Sequence, residues 1–290
     1  GMILTLVILA AFTINLIALY TIMRRLLKLG HFAPATEPAP TLILPLTGAC
    51  PGLERLIEAL NIQTLQPRRL LICVESTEDP AYARALAMEE RTRFPADLVV
   101  AGLATDQGQK CRNQQAGLDR LNAKDTLIVF LDGDILPQPL WLGQLVEPVA
   151  NASFDVVSGH RWQCVTQHRL GAHLVASIDR ALTMVPRLEF GFAGVVWGGS
   201  MAMSMQSARS MDLRGSLART LSDDLSIAQN AATAGLRIVT RGALLVPSPT
   251  DLAFIPAWRF ASRQYHIIHL YRPALWWLAL TVIGLRIAGY

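Results

Sequence analysis

Four short runs without a charged side chain fix what the first half of this chain can become. They are Thr41–Leu46, Leu70–Val74, Leu98–Ala101 and Thr126–Leu131, all rich in Leu, Ile and Val. Between them, Leu53–Leu60, Ala81–Arg91 and Asn113–Leu121 read as helices. A strand that is apolar along its whole length has to be covered on both faces. Such strands alternating with helices give an α/β fold around a parallel sheet. Sheets of this kind bind ligands beyond the carboxyl ends of their strands. The polar clusters of this chain stand at those ends.

The termini are more apolar still. Met2–Met23 contains no charged residue, and Arg24, Arg25 and Lys28 follow it. A signal peptide has its basic residues before the apolar run, so this order predicts a retained helix over residues 2–23, long enough to cross a bilayer. Basic residues on its C-terminal side place the rest of the chain in the cytoplasm. A Pro- and Ala-rich linker ends at Pro40. A second apolar run follows Pro273 and extends to Tyr290. It reads as a second membrane helix, cut short or complete. Among the 290 residues 52% are hydrophobic and only 17% charged, and mean hydropathy is +0.34. Those values exclude a disordered chain and a disulfide scaffold. Net charge is only +4 and no basic run stands out, which argues against nucleic acid as a partner. The cysteines Cys50, Cys73, Cys111 and Cys164 show no C-x-x-C pair and no metal spacing, and read as free thiols.

Three clusters can carry chemistry. Asp132-Gly133-Asp134 directly follows the Thr126–Leu131 strand. Its two carboxylates suit a hard cation such as Mg2+ or Mn2+, or form a plain polar turn. Ser222-Asp223-Asp224 caps and opens a helix running to about Ala234, with Gly235 as its stop. A carboxylate there can equally serve as a general base. Arg259, Arg263 and His266 share one face of a helix, with Trp258, Ala261, Tyr265 and Ile268 on the other. That pattern suits an interfacial helix whose cations meet lipid phosphates or a substrate diphosphate. Lys110, near Asn113 and Gln114, suits a phosphate or a solvated loop. Trp197-Gly198-Gly199-Ser200 admits a ligand to the backbone or makes a turn. His160, His168, His173 and His269 show no metal pattern.

The order of these motifs resembles the membrane-bound family 2/21 glycosyltransferases, most closely the ceramide glucosyltransferase type. The matching pieces are PLTGACPGLERLIEAL with CVESTEDPA, FLDGDILP, and VWGGSMAM with LSDDLSIA. The resemblance implies a GT-A fold over residues 41–250, after a linker at 24–40 and before an interfacial helix at 251–272 and an apolar segment at 273–290. It implies that Asp132 and Asp134 hold a divalent cation and the donor diphosphate. Asp224 becomes the base that deprotonates the acceptor hydroxyl, with Asp223 beside it. Lys110, Trp197 and Gly198 fall near the donor, and Pro45, Glu75 and Ser76 border the uridine. Arg263 and His266 stand where the family has its Q/R-x-x-R-W motif.

Two departures from the family pattern are visible. Ser76 stands at the position of the first acidic motif, and His266 with Ile267 replaces Arg-Trp. The implied function is an inverting transfer of a sugar, glucose first, from a UDP-sugar to a lipid hydroxyl, ceramide-like or another, at the cytoplasmic membrane face. A processive polysaccharide synthase and a non-catalytic membrane-bound nucleotide-sugar-binding module are the alternatives.

Overall fold

The computed structural model describes residues 2–27, 33–184 and 196–288. Lys28 of the basic cluster and the final Gly289 and Tyr290 lie outside the described residues. The chain divides into two compact units. One comprises Gly30–Cys164 with Arg187–Pro249. The other comprises Gly1–Leu29, Val165–Pro186 and Thr250–Tyr290.

The first unit is built on a sheet whose strands are β1 (Thr41–Leu46), β2 (Arg69–Val74), β3 (Ala96–Val100), β4 (Leu127–Leu131), β5 (Val156–Val165), β6 (Ser200–Ser204) and β7 (Ile238–Thr250), in the order β3-β2-β1-β4-β6-β5-β7. β1 pairs in parallel with β2 and β4, and β2 with β3. β6 runs antiparallel to β4 and β5. The four apolar runs are the four parallel strands. β5, β6 and β7 carry Gly, Ser, Thr and Arg among their apolar residues, and periodicity alone does not mark them.

Alternation along the strands separates two cores. Leu42, Leu44, Leu70, Ile72, Val129 and Leu131 face one side, with the helices Leu53–Asn61 and Trp141–Ala150. Ile43, Leu71, Cys73, Ile128 and Phe130 face the other, with Cys111 of the helix Gln109–Leu118 and Ile227 and Ala231 of the helix Asp223–Thr233. Coverage on both faces is what uninterrupted apolar strands require. Pro45 lies past Ile43, the last β1 residue in register with β4, so its missing N–H costs no bond to that neighbour.

The helix expected over Asn113–Leu121 begins earlier, at Gln109, with Gly108 as its N-cap. This corrects the loop reading of Lys110, which sits in the first turn. The cause is Asn113. Fully buried, it donates to Leu46 O (2.9 Å) and Cys73 O (3.2 Å), pinning the helix across the carboxyl ends of β1 and β2. Gly117 allows the close approach, since a Cβ there would stand 2.6 Å from Ile43 Cγ2.

In the second unit, Met2–Leu27, Leu170–Met184, Phe254–Tyr271 and Pro273–Ala288 are helices. The expectation that residues 2–23 and 273–290 span a membrane is not supported: among the described residues no helix is long and apolar enough to cross one. The last helix has 16 residues and rises about 24 Å, short of a bilayer core of about 30 Å. All four cysteines are free. Burial pushes the thiols of Cys73 and Cys111 up to about 12, so both are inert packing residues.

Candidate active site

Sheet register assembles the site. Leu131 at the end of β4 stands opposite Ser200 at the start of antiparallel β6. Whatever follows β4 therefore lies beside whatever precedes β6. Asp132 N–H donates to Gly199 O at 3.1 Å, which ties the Asp-Gly-Asp turn to Trp197-Gly198-Gly199. A Cβ on Gly199 would fall 2.3 Å from Asp132 Oδ2. The Gly pair is thus required by the carboxylates beside it, and the reading of this segment as only a turn is too weak.

The helix Asp223–Thr233 brings the second acidic pair to the same place. Ser222 caps it, accepting from Leu225 N–H, so the sequence-based account of this N-terminus holds. The capping and chemical readings are compatible here, because the capped end is the end that faces the Gly pair. Gly198 N–H donates a short hydrogen bond to Asp224 Oδ1. A Cβ on Gly198 would lie 2.2 Å from Asp223 Oδ2 and 2.8 Å from Asp224 Oδ1. Gly198→Ala therefore displaces both carboxylates. It is expected to lower turnover about 100-fold, since misplacing a catalytic group by about 1 Å costs that much. Steady-state kinetics beside a melting curve checks that the fold survives.

Lys110 joins the two acidic pairs. Its Nζ is 2.8 Å from Asp132 Oδ1 and 3.0 Å from Asp223 Oδ2. Gln114, one helical turn on and fully buried, donates to Asp223 Oδ2 at 2.8 Å. The electrostatics split the pair Asp223–Asp224. Burial disfavours charge on Asp223, but the Lys110 ammonium and the bonds from Lys110 and Gln114 outweigh it, holding the carboxyl below the ordinary range. Among the described residues Asp224 has no such cation in contact. Burial and the neighbouring Asp223 charge push it up to about 7, against the opposing pull of Lys110 and Gly198 N–H. Lys110 itself is held well above the usual lysine value: desolvation opposes its charge, but Asp132, Asp223 and Asp224 overcome it. Two adjacent carboxyls with divergent proton affinities are the arrangement that acid–base chemistry uses.

Asp134 lies on the solvent side of the turn. Desolvation by the surrounding protein and the Asp132 charge raise its pKa, and Arg161 opposes them. The Arg161 guanidinium also lies 6.0 Å from the centre of the Trp197 ring. Trp197 N–H donates to Ser158 Oγ at 2.8 Å, which anchors the segment from β5. Among the described residues there is no group of three or more His, Cys, Asp or Glu able to hold a metal ion. Asp132 and Asp134 supply hard oxygen donors of the type Mg2+ and Mn2+ take. They fit a cation that draws its remaining ligands from a phosphate-bearing substrate and water.

The strand-end wall beside this cluster comes from β1 and β2. Pro45 pairs in register with Cys73. Glu75 follows β2, and Ser76 Oγ accepts from Glu78 N–H at 3.2 Å. Burial, then Asp79, raises Glu75. Asp79 accepts from Gly48 N–H at 2.9 Å and from Ala81 N–H at 2.6 Å, capping the helix Pro80–Glu89 and tying the turn after β1 to the loop after β2. Arg263 and His266 belong to the other unit, on the helix Phe254–Tyr271. There the Arg263 guanidinium lies over Phe260 at 5.7 Å, and His266 Nδ1 is 2.7 Å from Ser262 O.

The structure thus gathers Lys110, Asp132, Trp197, Gly198, Asp223 and Asp224 in one unit. Reasoning from sequence did not reach Arg161 or the Asp223–Gln114 bond. Both depend on pairings between distant segments that no local spacing signals.

Comparison with known proteins gives the following. The family model described as glycosyl transferase family 21 matches residues 3–266. Curated protein sequences give no match. Among solved structures, a mannosyltransferase from Pyrobaculum calidifontis, in complex with GDP-Man and Mn2+, is 20% identical with a TM-score of 0.61. The match covers 94% of this chain and 76% of that one. Glucosyl-3-phosphoglycerate synthase from Mycobacterium tuberculosis, in complex with Mn2+ and UDP-glucose, is 13% identical with a TM-score of 0.51, over 80% of this chain and 78% of that one. At these identities the likeness is one of fold.

Proposed function

We propose a specific reaction on the premise that this chain belongs to glycosyl transferase family 21, as the match over residues 3–266 shows, and is a glycosyltransferase of the GT-A fold. It moves a sugar, glucose first, from a UDP-sugar to a lipid hydroxyl, with inversion at the anomeric carbon. The observation that carries this reading is the convergence of Asp132 and Asp223 on the Lys110 ammonium, beside an Asp224 carboxylate held by Gly198 N–H.

The geometry supports the following roles. Gly198 N–H occupies Asp224 Oδ1, which leaves Oδ2 to take the acceptor's proton as the acceptor oxygen attacks the anomeric carbon. The bond from that carbon to the diphosphate breaks in the same displacement, so no enzyme nucleophile is needed. Asp223 fixes Lys110, whose ammonium is the positive charge of the cluster. Asp132 and Asp134 would hold a divalent cation, Mg2+ or Mn2+, which supplies charge neutralisation for the departing diphosphate. Solved neighbours of the same fold hold Mn2+ with GDP-Man or with UDP-glucose, in keeping with a nucleotide-sugar donor. Pro45, Glu75 and Ser76 line the strand ends where the nucleoside would lie.

A lipid acceptor is supported by the second unit. Its helix Phe254–Tyr271 exposes Phe254, Ile255, Trp258 and Tyr265 together with Arg259 and Arg263, the composition of an element at a membrane surface. The helix Met2–Leu27 exposes Leu9, Phe12, Ile17 and Tyr20. The basic residues Arg24 and Arg25 after its apolar run favour the anionic lipids of a cytoplasmic leaflet.

Calorimetry with a panel of nucleotide sugars, with and without Mn2+, tests the donor. One UDP-sugar is expected to bind only with the cation. Asp132→Ala is expected to weaken that binding at least about tenfold, the scale of losing one charge-assisted ligand. Equal affinity in the variant would remove Asp132 from the cation site.

A further inference from the structure

We propose that the amino-terminal edge of the sheet carries an anion site, a cavity that takes a soluble phosphate-bearing small molecule such as a diphosphate. It lies at the opposite end of the strands from the Asp132 cluster and stands whichever sugar is moved there.

The cavity is open, has a volume of about 700 Å³, and is lined by Arg68, Arg69, Pro95, Asn122, Ala123 and Lys124. That volume is within the roughly 300–1,000 Å³ that small-molecule sites occupy. Arg69 opens β2, while Pro95 and the turn at 122–124 stand just before β3 and β4. Asp125 and Asp132 stand on either side of β4, so the cavity and the acidic cluster are separated by about 23 Å of strand.

One buried carboxylate builds the site. The side chain of Asp125 is fully buried. It accepts from Thr41 Oγ1 at 2.5 Å, from Arg69 Nη2 at 2.7 Å and Nε at 3.2 Å, and from Asn122 N–H at 2.8 Å. Arg68 Nε lies 3.4 Å from the same carboxylate. Two consecutive arginines and the turn before β4 are thereby fixed from behind. A carboxylate has about four lone-pair sites, so these donors leave Asp125 nothing to offer a ligand.

What remains at the cavity is a surplus of donors. Asn122 Oδ1 accepts from Lys124 N–H at 2.9 Å, so the free half of that amide is its NH2. Among the described residues the Arg68 Nη1 and Nη2, the Lys124 Nζ and the Asn122 Nδ2 have no protein partner. The other acids of the flanking segments are engaged: Asp97 accepts from Arg69 at 3.3 Å, and Asp119 from Arg214 at 2.7 Å. Arg93 and Arg120 of those segments are exposed and add to the positive side. Guanidinium, ammonium and amide donors around one concavity, with the local acceptors consumed, recognise an anion. The guanidinium fork fits phosphate oxygens in pairs, and the ammonium adds a point charge.

The chain has three lysines, Lys28, Lys110 and Lys124, so a 13C-dimethyl label gives each its own NMR signal. The Lys124 signal is the one lost in Lys124→Arg. The full chain is held in neutral detergent with EDTA, which keeps cation-dependent donor binding at Asp132 out of the readout. Inorganic diphosphate should move the Lys124 signal along a saturating curve, half-complete below about 1 mM. Arg68→Ala should raise that midpoint about tenfold or more, the scale of a lost charge-assisted fork. Arg209→Ala, which removes an exposed arginine elsewhere, should leave it in place. Melting curves check that the variants fold, and Arg68→Gln gives the same reading if Arg68→Ala does not. No shift, a linear drift without saturation, or an unchanged midpoint on loss of Arg68 overturns the proposal. A parallel titration with vesicles containing phosphatidic acid separates the two sources of phosphate, and a response to the vesicles with none to diphosphate overturns the soluble ligand. Failure of every UDP-sugar to bind with Mn2+ would sink the reaction reading and leave this result untouched.

Discussion

Asp224→Asn is expected to lower turnover by about 100- to 10,000-fold, the range of a lost general base. Nucleotide-sugar affinity should change little. The substitution keeps an oxygen for Gly198 N–H, so the local geometry survives, and what is lost is the ability to take a proton. The pH profile supplies a second reading. A base raised to about 7 is mostly protonated below that value, so the parent rate should climb as pH rises through about 7 and then level. The residual rate of the variant should lack that limb. Single-turnover measurements at several pH values check both. Near-parental turnover in the variant, or a parental profile flat between pH 5 and 8, would remove Asp224 from the base role.

Lys110→Met has the second large effect, and it falls on stability as well as rate. The ammonium is the only cation in hydrogen-bond contact with Asp132 and Asp223 among the described residues. Removing it leaves three neighbouring carboxyls without a counter-charge. Breaking a buried pair costs about 3–5 kcal/mol, and the one-third exposure of this side chain reduces the expectation to about 1–3 kcal/mol. The sign with pH is fixed by the shifts. In the parent protein Asp223 is held low, so its contribution is present above the unfolded carboxylate pKa and is lost as pH falls through the folded value. In the variant the Gln114 bond remains but the cation is gone and burial disfavours the charge, so the stability gap should be small in acid and widen as the solution is brought to neutrality. Denaturant melts at about pH 2.5, below the ordinary carboxylate range, and at about pH 7 check this, and an equal gap at both would contradict the arrangement.

How much of this was legible in the sequence depends on the range of the interaction responsible. The four parallel strands are visible because each carries a short run without a charged side chain, with Arg69 of β2 and Asp97 of β3 standing before theirs. The helix over Asp223–Thr233 is visible because Ser222 and Gly235, which adopts φ +68°, mark its ends locally. The start of the helix at Gln109 is not, because what fixes it is Asn113 reaching carbonyls of β1 and β2, 67 and 40 residues away. β6 was hidden for the same reason: SMAMS is short and weakly patterned, and only pairing with β4 makes it a strand. In the site, the resemblance named the acids, and the structure added the backbone N–H and the amide that divide their charge between them.

The tie made by Asp79 has a consequence for how this protein could change. The wall at the ends of β1 and β2 is a small module, with Gly48 and the helix at Pro80 fastened to one carboxylate. The base is fastened elsewhere, by Gly198 and by the helix at Asp223. Different strands carry them, and the helix Gln109–Leu118 links the two, through Asn113 to the ends of β1 and β2 and through Gln114 to Asp223. Under the proposed function, substitutions at Glu75 and Ser76 leave the bonds of Asn113 and Gln114 in place, so the nucleoside wall can change while the setting of Asp223 and Asp224 is kept. On that reading residues 75–78 are where donor selectivity would be redesigned.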